Sequence, residues 1–112
     1  MRDKINDDAR ISLMLEAISN IEEFLDGITQ FDDFESNKVL CHAVIYNIQC
    51  IGECSYKLSR GFVAAHPEID WESIEGLRHV LVHDYYSVSL GRIWNILEKD
   101  IPKLKAYLLN LQ

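Results

Sequence analysis

The sequence predicts an all-α protein, an up-and-down bundle of four or five helices. Three observations predict it. Apolar residues recur three and four positions apart in each long segment, the spacing that gives a helix one face to bury. No segment alternates apolar and polar residues over the length a half-buried strand needs. The breaks between segments carry Gly27, Gly61 and Pro67, residues that stop or redirect helices.

Taken in order, residues 7–27 place Ile11, Met14, Leu15, Ile18, Ile21 and Leu25 along one stripe, with Asp7 and Asp8 suited to the positive N-terminal end and Gly27 as the stop. The stretch "TQFDDFESN" reads as a loop or short turn pinned by Phe31 and Phe34. Ser36 is then placed to cap a helix over residues 37–60, with Leu40, Val44, Ile48, Ile51 and Leu58 as its stripe and Gly61 as terminator. "AAHPEIDW" is a break, because the residue before Pro67 is pushed toward extended geometry. Asp70 suits the N-cap of a shorter helix from Trp71 to about His83. "DYYSVS" reads as a turn, with Ser87 or Ser89 capping a last helix striped by Leu90, Ile93, Trp94, Leu97, Ile101, Leu104 and Leu108. Pro102 either kinks that helix or opens a second one.

The 112 residues suit a single domain over residues 1–112. The charged start "MRDKINDDAR" does not read as a secretory signal, and no apolar run reaches membrane-spanning length, so a cytoplasmic location is expected. Cys41, Cys50 and Cys54, an odd number within one helical segment, are expected as reduced thiols. With a formal net charge of −7, nucleic-acid contact is expected to be confined to a small cationic spot, helped by a basic partner, or weak and transient.

The candidate chemistry lies in "GLRHVLVHDYY", residues 76–86. On a helix, His79 and His83 share a face, whereas Arg78 and His83 are roughly 140° apart and about 7.5 Å along the axis. A site at the helix end, or one formed where two chains meet, brings that pair together more easily than one ideal helix does. Arginine offers a planar fork that fits a phosphate. Histidine can take a proton from a ribose 2′-hydroxyl or give one to a leaving oxygen. Tyr85 adds a hydroxyl and a face for a base. RNA cleavage through the adjacent 2′-hydroxyl needs these parts and no metal. The rival reading of the same residues is a helix-surface salt bridge from Arg78 to Glu75 or Asp84. His79 and His83 lack an evident third metal ligand, Cys50 and Cys54 read as small core residues, and His42 and His66 read as structural.

The segment from "IGE" (51–53) through "HPEIDW" (66–71), Arg78-x4-His83-x-Tyr85 and the Trp94 helix resembles the HepT-like proteins of the HEPN (higher eukaryotes and prokaryotes nucleotide-binding) superfamily. The two preceding helices fit as well. The resemblance implies a helical bundle, a homodimer whose two signatures face one cleft, and a metal-independent endoribonuclease without a cofactor. It further implies the toxin of a toxin–antitoxin pair, acting on RNA. Arg78 and His83 map onto the cleaving pair, and Tyr85 maps onto the tyrosine to which a cognate minimal nucleotidyltransferase antitoxin attaches AMP. Where the family often carries asparagine after the arginine, this chain has His79, a candidate auxiliary group. A different class of function, favoured by the acidic balance, is a non-catalytic helical module that binds a nucleotide or a partner.

Overall fold

The computed structural model describes residues 2–83 and 88–111, with side chains over 7–79 and 90–111. Its elements are all helical: α1 (Arg2–Phe24), α2 (Phe31–Glu35), α3 (Lys38–Tyr56), α4 (Arg60–Ala65), α5 (Trp71–His83), α6 (Val88–Asn95), a π-helical turn (Ile96–Asp100) and α7 (Ile101–Asn110). The bundle predicted from the sequence is therefore present. α3 is the central element, packed against α1 on one side and α5 on the other. No helix among the described residues is long and apolar enough to cross a membrane.

The predicted stripes form the core. Ile11, Met14, Ile18 and Ile21 of α1 meet Leu40, Val44, Ile48 and Ile51 of α3, and Ile93, Leu97, Ile101, Leu104 and Leu108 close the cluster from the last helices. α1 and α3 run antiparallel, since Asn20 donates to Asn47 at one level (3.1 Å) and Asp7 reaches Ser59 near the other end. Leu15, Leu25, Leu90 and Trp94 lie at the edge of this core, half-buried.

Local chemistry moves several boundaries. α1 begins at Arg2, so Asp7 does not serve the N-terminal end of its own helix. It is buried and instead accepts from the Ser59 backbone N–H (2.8 Å) and hydroxyl (2.6 Å). Ser59 in turn caps α4 by accepting from the Phe62 N–H. α3 therefore ends at Tyr56 rather than near residue 60, and Gly61 lies inside α4 instead of terminating α3. Gly27 does make the expected turn, with φ 82°.

The loop expected after Gly27 contains α2, which buries Phe34 and sets Phe31 and Phe34 against Trp94, with ring centroids 6.1 and 5.3 Å apart. Asn37, not Ser36, caps α3, its side chain accepting from the Leu40 N–H (3.0 Å). Cys41 is a free, buried thiol donating to the Phe34 carbonyl (3.1 Å), and burial, followed by the nearby Glu35 carboxylate, raises its pKa. Cys50 and Cys54 are also free thiols, packed half-buried against the core.

"HPEIDW" folds into a knot between helices. The Trp71 indole N–H donates to the His66 carbonyl (2.8 Å), and Phe62 packs on both rings. His66 therefore has partners that the sequence did not suggest: its Nδ1 lies 2.8 Å from the Tyr107 hydroxyl, which donates to Glu68. Asp70 caps α5 as expected, accepting from the Ser73 N–H (3.2 Å) and hydroxyl (2.7 Å).

Of the two expectations for Pro102 the second holds: it stands in the first turn of a new α-helix, α7. Its ring would clash with the carbonyl four residues back in a regular α-helix. The turn before it widens to π-helical geometry, with the Ile101 N–H bonding to the Ile96 carbonyl five residues back, and Pro102 then sits in the first turn of α7. The turn at 84–87 and the choice of Ser87 or Ser89 as cap lie outside the described side chains.

Candidate active site

Arg78 sits in the middle of α5, on the side turned toward α3. Two residues of α3, one turn apart, govern its position. The first is Gly52. A Cβ there would stand 2.5 Å from the Arg78 backbone nitrogen and 3.1 Å from the Leu77 carbonyl carbon, so the two helices touch backbone to backbone. The second is Tyr56, whose ring lies under the guanidinium with Cζ 3.4 Å from the ring centroid. Helical side chains lean toward their own N-terminus. α5 starts beside α4, with Trp71 against Phe62, and reaches Gly52 at residues 77 and 78, so it runs antiparallel to α3. That lean carries the Arg78 side chain along α3 from Gly52 toward Tyr56.

The result is a guanidinium held over an aromatic face, an arrangement in which the ring attracts the cation and the donors turned away from it stay available to a ligand. Among the described residues Arg78 makes no ion pair, so the proposed salt bridge to Glu75 is not formed. Asp84 lies outside those residues. Glu53, the acidic neighbour of Gly52, is engaged with Lys57 at 3.5 Å. The Arg78 Nε is shut off from solvent and has no hydrogen-bond partner among the described residues. Arg10 Nε and Ser55 Oγ are enclosed in the same way, so the site is marked by the stack on Tyr56 rather than by this donor.

His79 is exposed on the next position of the same helix. His83 closes α5, and its side chain, like all of Tyr85, lies outside the described residues. The structure therefore gives one member of the predicted pair its surroundings and gives the other a backbone position at the helix end. Among the described residues no group of three or more His, Cys, Asp and Glu is arranged to hold a metal.

Tyr56 is the site residue that sequence reasoning missed. The sequence holds only an indirect hint: Gly52 stands inside an apolar helical run at a cost of about 1 kcal/mol relative to alanine, which asks for close packing there but does not point to the ring one turn on.

The family model described as ribonuclease HepT-like matches residues 14–111, a span that takes in α3, α5 and the whole Arg78 region. The chain belongs to the ribonuclease HepT-like family. Its HepT-like relatives include a protein of Thermococcus cleftensis named "Probable ribonuclease HepT", 40% identical over 91 residues that cover 81% of this chain and 82% of that one. A "Putative RNase" of Methanocaldococcus jannaschii is 33% identical over 92 residues, 82% of this chain and 84% of the relative. In a third relative, from the same organism and named for a gamma-glutamylcyclotransferase together with a putative RNase, the 39% identical match spans 88% of this chain but 44% of the relative. No solved structure gives a significant match.

Proposed function

We propose that this chain is a metal-independent endoribonuclease, the toxin of a toxin–antitoxin pair, working in the cytoplasm as a homodimer of single-domain protomers. The observation that carries the reading is Arg78, stacked on Tyr56 and without an ion-pair partner among the described residues of a HepT-like chain. A guanidinium held this way is available to an anion. The names of the relatives make RNA the first candidate.

In this reading Arg78 binds the non-bridging oxygens of the scissile phosphate and offsets the charge that grows there. His83 moves the proton: as base it takes the 2′-hydroxyl proton while O2′ bonds to phosphorus, or as acid it gives one to the departing O5′. The spacing of Arg78 and His83 on one helix favours sharing the work across a two-fold axis, where each copy meets the other's residues. His79 is an auxiliary candidate. No metal or cofactor is needed for this displacement. AMP attached to Tyr85 by a minimal nucleotidyltransferase antitoxin adds bulk and negative charge two residues from His83, which turns an RNA phosphate away.

Incubating the purified protein with total RNA, with and without chelator, tests the reading. Expected is chelator-resistant cleavage by the wild type that is lost in both Arg78→Ala and His83→Ala. Binding of RNA with no cleavage, in every condition, would replace it with the non-catalytic module that the net charge of −7 favours.

A further inference from the structure

We infer that Tyr56 is a positioning residue for the phosphate-binding arginine: its ring fixes the plane of the Arg78 guanidinium so that the outward N–H edge meets the phosphate. The inference rests on the ribonuclease reading for its substrate, and on geometry for everything else.

Arginine has a long, rotatable stem, and its rotamer freedom must be given up whenever it clamps a phosphate. If that freedom is lost before the substrate arrives, the transition state gains what binding would otherwise spend. Three features of the site remove it. Gly52 brings α3 against the Arg78 backbone, so the Tyr56 ring lies within reach of the guanidinium. The ring lies against that group, its centroid 3.4 Å from Cζ. Nε is enclosed, without a partner among the described residues, so the donors left for a ligand are those at the far end of the fork. Tyr56 is itself 50% exposed, which places the stack at the protein surface, where a polynucleotide can reach it. Attraction to the ring face does not involve the hydroxyl, so phenylalanine should serve where an aliphatic side chain fails.

The test compares wild type, Tyr56→Leu and Tyr56→Phe, with Tyr46→Leu as control, since Tyr46 is an exposed tyrosine of the same helix away from Arg78. Three readouts are taken. The ring-current shift of the Arg78 Hε proton reports the stack without any turnover. The affinity for a 2′-O-methyl oligonucleotide reports phosphate binding without cleavage. The kcat and KM for RNA report the reaction. Expected in Tyr56→Leu are loss of the ring-current shift and a loss of about tenfold that shows in oligonucleotide affinity and in kcat/KM alike, the size a cation–π contact supports. Tyr56→Phe should recover most of both, and in an Arg78→Ala background Tyr56→Leu should have no additional effect.

A wild type lacking the ring-current shift overturns the inference whatever the enzyme does. So does a Tyr56→Leu variant that cleaves like wild type, which leaves the ribonuclease reading intact. If the wild type does not cleave, the ribonuclease reading fails alone: a tenfold weaker oligonucleotide affinity in Tyr56→Leu then sustains the positioning role, and an unchanged or undetectable affinity ends it.

Discussion

Gly52 and Arg78 are in backbone contact across α3 and α5, closely enough that a Cβ on the glycine would lie 2.5 Å from the arginine nitrogen. Two opposing effects act on Gly52→Ala. Alanine favours the helix by about 1 kcal/mol, but the new methyl meets backbone atoms that cannot swing aside, and overpacking of this kind costs about 1–3 kcal/mol. The clash wins. Gly52→Ala should lower the midpoint in urea unfolding and, by pushing α5 outward, should reduce RNA cleavage more than its stability loss explains.

Asp7 ties the start of the chain to the start of α4 through two hydrogen bonds to Ser59. Replacing it with alanine removes both and leaves the Ser59 N–H without its charged acceptor. Hydrogen bonds to a charged group contribute about 1.5–3 kcal/mol. Asp7→Ala should therefore destabilise by about 2 kcal/mol in chemical denaturation, and Asp7→Asn by less, since the amide oxygen can keep one bond.

Phe34 shows that a five-residue helix can matter to the core. Its ring is fully enclosed and packed on Trp94, linking α2 to α6. Truncating a buried phenylalanine costs about 3–5 kcal/mol, against a total stability of about 5–15 kcal/mol for a typical domain. Phe34→Ala should leave the protein partly unfolded at 37 °C by circular dichroism, while Phe34→Leu should retain a cooperative transition.

The pH dependence of stability should carry the mark of Asp70. The Ser73 hydroxyl first, and the Ser73 backbone N–H second, hold its carboxyl below the ordinary aspartate range. A depressed folded-state pKa means that the contribution is complete above the unfolded-state value and disappears as pH falls through the folded-state value. Thermal melts of wild type and Asp70→Ala should differ at neutral pH and converge on acidification through that window. A gap that widens in acid would contradict the cap as the cause.

What could be read from the sequence was what periodicity writes. The stripes from Ile11 to Ile21 and from Leu40 to Ile51 became core because a helix that buries one face must repeat it. Asp70 was readable because capping is a local bond. Most of the errors came from contacts distant in sequence. Asp7 looked like a helix-end charge until Ser59, 52 residues away, claimed it. "TQFDDFESN" looked like a loop because the Trp94 that supports its helix lies far along the chain. Gly61 looked like a stop because Ser59 had not been recognised as a cap. In the site, Arg78 was named from the sequence, yet Tyr56 was not, because a guanidinium meeting a ring across two helices leaves no pattern within either one.

Arg78→Lys separates charge from shape at the proposed site. Lysine keeps a positive charge but has no planar fork to hold a phosphate at two points and no flat face to match the Tyr56 ring. Losing one donor to a developing oxyanion costs about 10²–10³ in kcat, so Arg78→Ala should fall by that order, and lysine should recover no more than about tenfold of it by charge alone. Stability gives the second half of the argument. Because the Arg78 Nε is enclosed without a partner and no ion pair is broken among the described residues, Arg78→Ala should melt close to the wild-type temperature, its one lost attraction being the stack on Tyr56, about 1 kcal/mol. A large fall in melting temperature would make Arg78 a structural residue, and full activity in Arg78→Lys would mean that a point charge suffices where the stacked fork was held to be required.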